Sequence, residues 1–318
     1  MNLHPVKSDL ATIVFTESED QEVSELSLAL AKSGVRLVRV NCDDDDPIVI
    51  REVDNHGRIV TRHGTVYPKV VWTRRFWRYS GSGEVDLRNE NVLAYDQAEA
   101  LRRLLEEACP RTINRQLTPQ SKWHQLRVAE SCGFEIPASI LTSDFTGVEK
   151  RLGSHMIIVK SLNDHWIRPG DDTIYGVFPV VVSANELVER CIVERVPLIV
   201  QEYLDIEAEV RVFVVGDSII AYRTGPRRTP GSVWSDDLPL DIETYRISQE
   251  LENKVRRFAS KVGLDYGALD LACCRDGRLC FLECNGSQAD WRYYEKNAGD
   301  SRVRCALVDY VERLMSNV

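Results

Sequence analysis

Residues 267–285, GALDLACCRDGRLCFLECN, constrain the chain more than any other stretch, because a hairpin signal and two carboxylates fall into one register. Asp276-Gly277 is the preferred pair for a two-residue type I′ turn, in which both central residues take positive φ. Asp270 and Glu283 are equidistant from that turn, so the pattern predicts that they face each other across antiparallel strands, with Asn285 further along the same face. Leu269, Leu271, Leu282 and Cys284 occupy the alternate positions and can face a core. Like charges directly opposite destabilise a hairpin unless a cation neutralises them. Two carboxylates and an amide oxygen make a hard-oxygen set suited to Mg²⁺ carried by a nucleotide. Spacing alone does not separate that reading from an edge hairpin with solvated acids.

The rest of the chain alternates strand and helix patterns, which places it in the α/β (α+β) class. Residues 11–15 form an apolar run, 23–32 an amphipathic helix stopped at Gly34, and 35–40 a second strand, together a β-α-β opening. A polar, hairpin-like stretch with Gly57 and Gly64 precedes a strand at 69–72 that runs into Trp72-Thr73-Arg74-Arg75, and 91–107 reads as a long helix. The stretch 110–119, with proline at both ends, marks a boundary. Beyond it lie a helix at 122–132 closed by Gly133, strands at 136–142, 156–160 and 198–203, and a helix at 184–194. From Glu209 the pattern turns to hairpins: strands 210–215 and 218–223 around Gly216-Asp217, a helix at 247–262, the 267–285 pair and a terminal helix at 303–314. These breaks predict three parts: 1–118, 119–200 and 201–318, the last carrying the metal site.

Charge and composition narrow the function. Lys and Arg total 40 against 49 Asp and Glu in 318 residues, and the net charge of −9 gives no electrostatic ground for sequence-independent binding of nucleic acid. None of the nine cysteines forms a C-x-x-C pair, which suits buried thiols in a reducing cytoplasm. The N-terminus lacks the apolar run of a signal peptide, and no stretch approaches the ~18 apolar residues of a membrane span, so a cytoplasmic protein with no membrane partner is expected. The acidic run 43–46 reads as a solvated loop, since consecutive side chains diverge. Residues 225–235, GPRRTPGSVWS, suit either a flap over an acidic substrate or an exposed connector. Trp72, Trp77, Trp123 and Trp166 read as core or interface anchors before substrate platforms, and His124 is no candidate for catalysis.

Lysines and a hinge turn the hairpin into part of a larger constellation. Lys122 opens the helix after the boundary, and Lys160 ends the strand begun by Met156-Ile-Ile-Val, where a cation can reach phosphate oxygens. Gln201-Glu202-Tyr203-Leu204 follows the third strand of that part; such an extended segment can offer backbone groups to an adenine edge while an acid takes the ribose hydroxyls. Taken in order with Glu207, the strand Glu209-Val-Arg211-Val, Asp270 and Leu282-Glu-Cys-Asn285, these parts resemble the ATP-grasp superfamily over about residues 119–290. The resemblance implies an ATP-grasp fold, with ATP between two α+β subdomains behind an N-terminal pre-ATP-grasp domain, and ATP and Mg²⁺ as cofactors. It further implies that Lys122 and Lys160 bind phosphates and that Gln201, Glu202, Tyr203 and Leu204 form the adenine hinge. Glu207 would hold ribose, Asp270, Glu283 and Asn285 would bind magnesium, and Lys160, Arg211 and Arg223 would face the transferring phosphate and the acyl phosphate. No Walker-type glycine loop is present, which argues against a P-loop ATPase.

More narrowly, Val71-Trp72-Thr73-Arg74-Arg75, Asn114 and Lys122-Trp-His-Gln125-Leu126 resemble the microviridin-type graspetide maturases, which crosslink acidic side chains of a ribosomal peptide to its Thr, Ser or Lys residues. That implies a precursor peptide, leader plus core, as partner, with Arg74 and Arg75 beside its acceptor carboxylate; a homodimer stays open. Residues 285–291, NGSQADW, follow the group's Asn-Pro-x-Gly-Gln-Trp ending only loosely, and its Asp-Trp-Arg stretch is missing between Arg223 and Tyr245. Two rivals remain: a RimK-like ligase joining an amino acid to a small molecule or protein terminus, and a non-catalytic nucleotide-binding module. Both lysines together with the Asp, Glu and Asn set weigh against the last.

Overall fold

The computed structural model describes residues 10–43, 50–53, 58–61, 64–76, 90–118, 121–162, 166–167, 175–176, 179–190, 197–225 and 241–316. Most of the acidic run 43–46, Gly57, Trp77, the side chain of Trp166 and the basic stretch 226–235 lie outside the described residues. Among those described, no helix is long and apolar enough to cross a membrane.

The first sheet is built from β1 (Leu10–Thr16), β2 (Arg36–Asn41), β3 (Ile50–Val53), β4 (Ile59–Thr61), β5 (Gly64–Thr73) and β6 (Arg111–Ile113), with helices α1 (Gln21–Lys32) and α2 (Glu90–Ala108). Its order is β2-β1-β5-β4-β3, with β6 also on β5. Strands β2 and β5 flank β1 in parallel, as the β-α-β pattern requires. Asp20 starts α1 by accepting the Val23 N–H at 3.2 Å. Strand β1 is buried on both faces: Ala11, Ile13 and Phe15 pack with Val71 and Leu105, while Val14 joins Val70, Trp72 and Leu26.

The second group holds α3 (Lys122–Ser131), β7 (Ser139–Thr142), α4 (Val148–Leu152), β8 (Met156–Lys160), β9 (Trp166–Ile167), β10 (Tyr175–Gly176), β11 (Val180–Ser183), α5 (Ala184–Arg190) and β12 (Leu198–Glu202). Four strands form an antiparallel sheet in the order β11-β8-β12-β7. Ile157, Val182, Val200 and Leu187 form its core on one face. The register pairs Ile199 with Lys160 and Gln201 with Ile158, so those four residues share the opposite face.

The third group comprises β13 (Ile206–Val215), β14 (Ser218–Thr224), β15 (Ile242–Tyr245), α6 (Gln249–Val262), β16 (Tyr266–Cys274), β17 (Leu279–Asn285), α7 (Arg292–Ala298) and α8 (Arg302–Ser316). Its sheet runs β15-β14-β13-β16-β17. Leu251, Val255, Phe258, Ala259 and Val262 repeat at helical spacing and bury one stripe of α6 against Val210, Val212, Leu269 and Leu271. Each of the larger side chains among them contributes ~1.5–3 kcal/mol of transfer free energy. Leu126 and Ala129 of α3 join this cluster, so the helix that carries Lys122 packs on the third sheet rather than the second. The other face of the third sheet buries Phe213, Tyr222 and Tyr266 with Trp72, Leu26, Trp291 and the α8 residues Val303, Leu307 and Val311, which fuses it to the first sheet.

Candidate active site

The β16–β17 hairpin brings Asp270 opposite Glu283, by a different route from the one the sequence suggests. Only Gly277 has positive φ, at 88°, so the turn is not type I′. Instead Cys274 N–H donates to Arg278 O at 2.8 Å, closing a three-residue loop that shifts the pairing by one. A bulge then restores it: Leu271 pairs with Phe281 but Asp270 with Glu283, leaving Leu282 as the extra residue. The two offsets cancel. Leu269 and Leu271 face the core on the other side, as the alternation predicts. At the base of the hairpin a Cβ on Gly267 would sit 2.6 Å from Asn285 O, so glycine there lets β16 approach the end of β17.

Arg211 of β13 lies beside Asp270 in the register, and its Nη1 contacts both carboxylate oxygens at 3.1 and 3.2 Å. The guanidinium rests 5.5 Å from the Phe213 ring and 5.2 Å from the Tyr294 ring. Burial disfavours its charge, and Asp270 more than restores it. Asn285 donates Nδ2–H to the second Asp270 oxygen at 2.8 Å. From the opposite sheet, Lys160 feels the charges of Glu283, Lys122 and Glu209; burial lowers its pKa, with Glu283 pulling the other way. Lys122 N–H donates to Leu162 O at 3.0 Å, so the start of α3 is tied to the segment just after Lys160. Both lysines and the carboxylate pair therefore gather where the second and third sheets face each other. Glu209 belongs to this group and was missed; its alternation with Arg211 on one strand face was the available signal.

The hinge follows. Glu202 N–H is occupied by Ala138 O at 2.9 Å and Tyr203 N–H by Met156 O at 3.2 Å. Among the described residues, Leu204 N–H donates to no backbone carbonyl. The Glu202 carboxylate is held by Ala138 N–H at 2.9 Å and by Arg278 at 2.9 Å, so its side chain serves the hinge itself. Gln201 donates to Ser139 Oγ at 2.8 Å, and among the described residues its buried Oε1 lacks a hydrogen-bond partner. That orphaned acceptor, on the face shared with Lys160, suits an amino group of a base. Glu207 sits at a bulge in β13, between Ile206 and Ala208, 3.7 Å from Arg223.

Two of the expected site residues sit apart from the Asp270–Arg211 group. Arg223 pairs with Val210, one step from the Arg211–Tyr222 pair, so it projects from the opposite face of the sheet, near Glu207 and Glu243. It does not converge with Arg211. Arg74 is only 2% exposed, and its donors are taken by Asp20 at 2.8 Å, Glu22, Asp290 at 2.7 Å and Ala289 O at 3.2 Å. A peptide carboxylate would have to displace that knot, so Arg74 is built into the joint between the first and third sheets. Arg75 is more open; it pairs with Glu17 at 2.7 Å and Asp290 at 2.5 Å. Asn114 reinforces the joint: with φ at 62° it accepts from Asp265 and Tyr266 N–H at 2.7 and 2.9 Å and donates to Tyr266 O and Ser287 Oγ at 2.7 and 2.8 Å.

The opposed oxygens fit magnesium. Asp270 and Glu283 offer hard anionic donors, and a half-turn of the Asn285 amide presents its oxygen in place of the N–H it now gives Asp270. Among the described residues no group of three or more His, Cys, Asp or Glu surrounds a metal position.

No family model matches the chain, and no curated protein matches it. Solved structures do. The Chryseobacterium gregarium RiPP-associated ATP-grasp ligase, in complex with ADP and a leader and core peptide, is 20% identical, with TM-score 0.78 over 95% of this chain and 97% of that one. The macrocyclase MdnC of Microcystis aeruginosa MRC, bound with precursor peptide MdnA, is 18% identical, with TM-score 0.76 over 95% and 99%. The ATP-grasp ligase PsnB, complexed with a phosphomimetic variant of minimal precursor, Mg and ADP, is 22% identical, with TM-score 0.72 over 96% and 99%. The chain has the ATP-grasp fold.

Proposed function

We propose that this chain is an ATP-dependent, ADP-forming ligase that crosslinks acidic side chains of a ribosomal precursor peptide to Thr, Ser or Lys as esters or amides. The observation that carries the reading is that buried Lys160 lies within the fields of Glu283, Lys122 and Glu209, beside the hairpin that holds the Asp270–Arg211 pair. It is supported by likeness over nearly the whole chain to ligases solved with precursor peptides, ADP and Mg. We divide the chain into 1–118, 119–200 and 201–318, with α3 as a strap that leaves the second part to pack on the third.

A carboxylate resists attack by a hydroxyl or amine because its oxygens already carry the charge that attack would add. Phosphorylation provides a leaving group. Lys160 from the second sheet and Lys122 from the helix packed on the third hold the phosphates of ATP, and Arg211 meets the developing charge. Asp270, Glu283 and Asn285 would hold magnesium, which when bound would supply charge neutralisation to the phosphates. Leu204 N–H and the Gln201 amide oxygen read the adenine edge, and Glu207 takes the ribose hydroxyls. Tyr203 and the Glu202 main chain shape that hinge. The acyl phosphate then takes the nucleophile through a tetrahedral intermediate and releases phosphate. Arg223, 3.7 Å from Glu207 and one register step from the Arg211–Tyr222 pair, lies nearer the ribose acid than Arg211 does.

The test is incubation of the chain with Mg²⁺, ATP and a peptide bearing Glu or Asp together with Thr, Ser or Lys. Loss of one water per crosslink with release of ADP is expected. With free amino acids added to a parallel incubation, a mass gain of one residue would favour the RimK-like reading, and release of AMP and pyrophosphate in either would overturn the acyl-phosphate route.

A further inference from the structure

Strand β17 is the outer strand of its sheet, and it carries both Glu283 and Asn285. An outer strand has one row of backbone groups without a strand partner. At Cys284, between the two proposed metal donors, that row is met by a side chain: Gln125 Oε1 accepts the Cys284 N–H at 2.9 Å and Gln125 Nε2 donates to Cys284 O at 3.1 Å. The amide thus reproduces the paired bonds of a neighbouring strand at one residue. Gln125 lies one turn along α3 from Lys122, on the same side of the helix. The N–H of Lys122 is bonded to Leu162, just beyond Lys160. A short rigid path therefore joins the metal strand to both phosphate lysines.

We propose that Gln125 is a positioning residue that fixes the donors Glu283 and Asn285 against Lys122 and Lys160, a proposal that rests on the magnesium reading above. Its two bonds hold the backbone of the residue between the donors. Side chains two apart on a strand project to one side, so any rotation of the peptide planes at Cys284 moves both donors together. Loss of an outer-shell partner of this kind weakens metal binding by about 10–100-fold. An edge cover alone would affect stability without affecting metal.

The experiment compares the full chain with Gln125→Met, Gln125→Glu and Glu283→Gln. Manganese affinity is measured in the presence of ADP from the free-ion paramagnetic signal, alongside the thermal midpoint. Gln125→Met loses both bonds at similar volume; Gln125→Glu keeps the bond to N–H and sets its second oxygen against the Cys284 carbonyl, so it carries the test if the first variant does not fold. The expected result is manganese binding weakened roughly tenfold or more in the Gln125 variants, with Glu283→Gln weakened as the reference. Unchanged manganese affinity in Gln125→Met or Gln125→Glu, beside a weakened Glu283→Gln, would overturn the positioning role and leave Gln125 an edge cover. Unchanged affinity in Glu283→Gln would instead remove the metal assignment itself, and this proposal with it.

Discussion

Replacing Arg74 by methionine separates a joint from a substrate clamp. The guanidinium neutralises Asp20 at 2% exposure and Glu22 at 6%, and it also reaches Asp290 at 2.7 Å. Methionine fills much of the volume and leaves those carboxylates without their cation. Removing one partner of a buried ion pair costs ~3–5 kcal/mol. At about 2 °C per kcal/mol for a chain of this size, the unfolding midpoint at pH 8 should fall by ~6–10 °C. The loss should shrink near pH 6, because burial has already pushed the Glu22 carboxyl up to about 7, and protonation there removes one of the stranded charges. Arg75→Met is the control: its side chain is 22% exposed and its pairs with Glu17 and Asp290 are near the surface, so its cost should stay under ~1 kcal/mol. Scanning fluorimetry of the three proteins at both pH values is sufficient. An Arg74→Met protein as stable as the parent, yet unable to bind a carboxylate-bearing peptide, would refute the joint and restore the clamp.

Glu283→Gln should keep its melting temperature within a few degrees while phosphoryl transfer slows by about 10²–10³-fold, measured as single-turnover ADP formation. The Glu22 carboxyl faces Arg74, Asp290, Tyr266 and the N–H groups of Trp291 and Arg292, and its pKa rises from 4.5 to about 7. Between those values the folded chain holds a proton that the unfolded chain has released, so this group's contribution to stability falls as pH rises through that window, by up to ~3 kcal/mol; urea midpoints of Glu22→Gln should lack the slope. Gly267→Ala, whose Cβ would lie 2.6 Å from Asn285 O, should cost ~1–3 kcal/mol by chemical denaturation and displace the end of β17.

The elements that could be read from the sequence are those whose signal is local. Leu251, Val255, Phe258 and Val262 repeat at the helical period and give α6, and Gly216-Asp217 between apolar runs gives the β13–β14 hairpin. Short pieces such as β6 and α7 carry too few residues for any period to emerge. The Asp270–Glu283 pairing was legible although its turn was not, because a three-residue loop and a bulge compensate each other. Arg223 shows a signal left unused: the Gly216-Asp217 turn sets Tyr222 beside Arg211, and parity then turns Arg223 away. Arg74 had no local signal at all. Its partners Asp20, Glu22 and Asp290 lie 54, 52 and 216 positions away, so only tertiary structure distinguishes it from the more open Arg75.

The acyl-phosphate route is tested most directly by following oxygen. A precursor peptide whose acidic side chains carry heavy oxygen in both carboxylate positions is turned over with Mg²⁺ and unlabelled ATP, and the released phosphate is examined by mass spectrometry. Activation by γ-phosphoryl transfer at Asp270, Glu283 and Asn285 predicts one heavy oxygen in inorganic phosphate for each crosslink formed, together with ADP, and no turnover when magnesium is chelated. Heavy oxygen appearing in AMP, or crosslinked peptide formed with unlabelled phosphate, would contradict it.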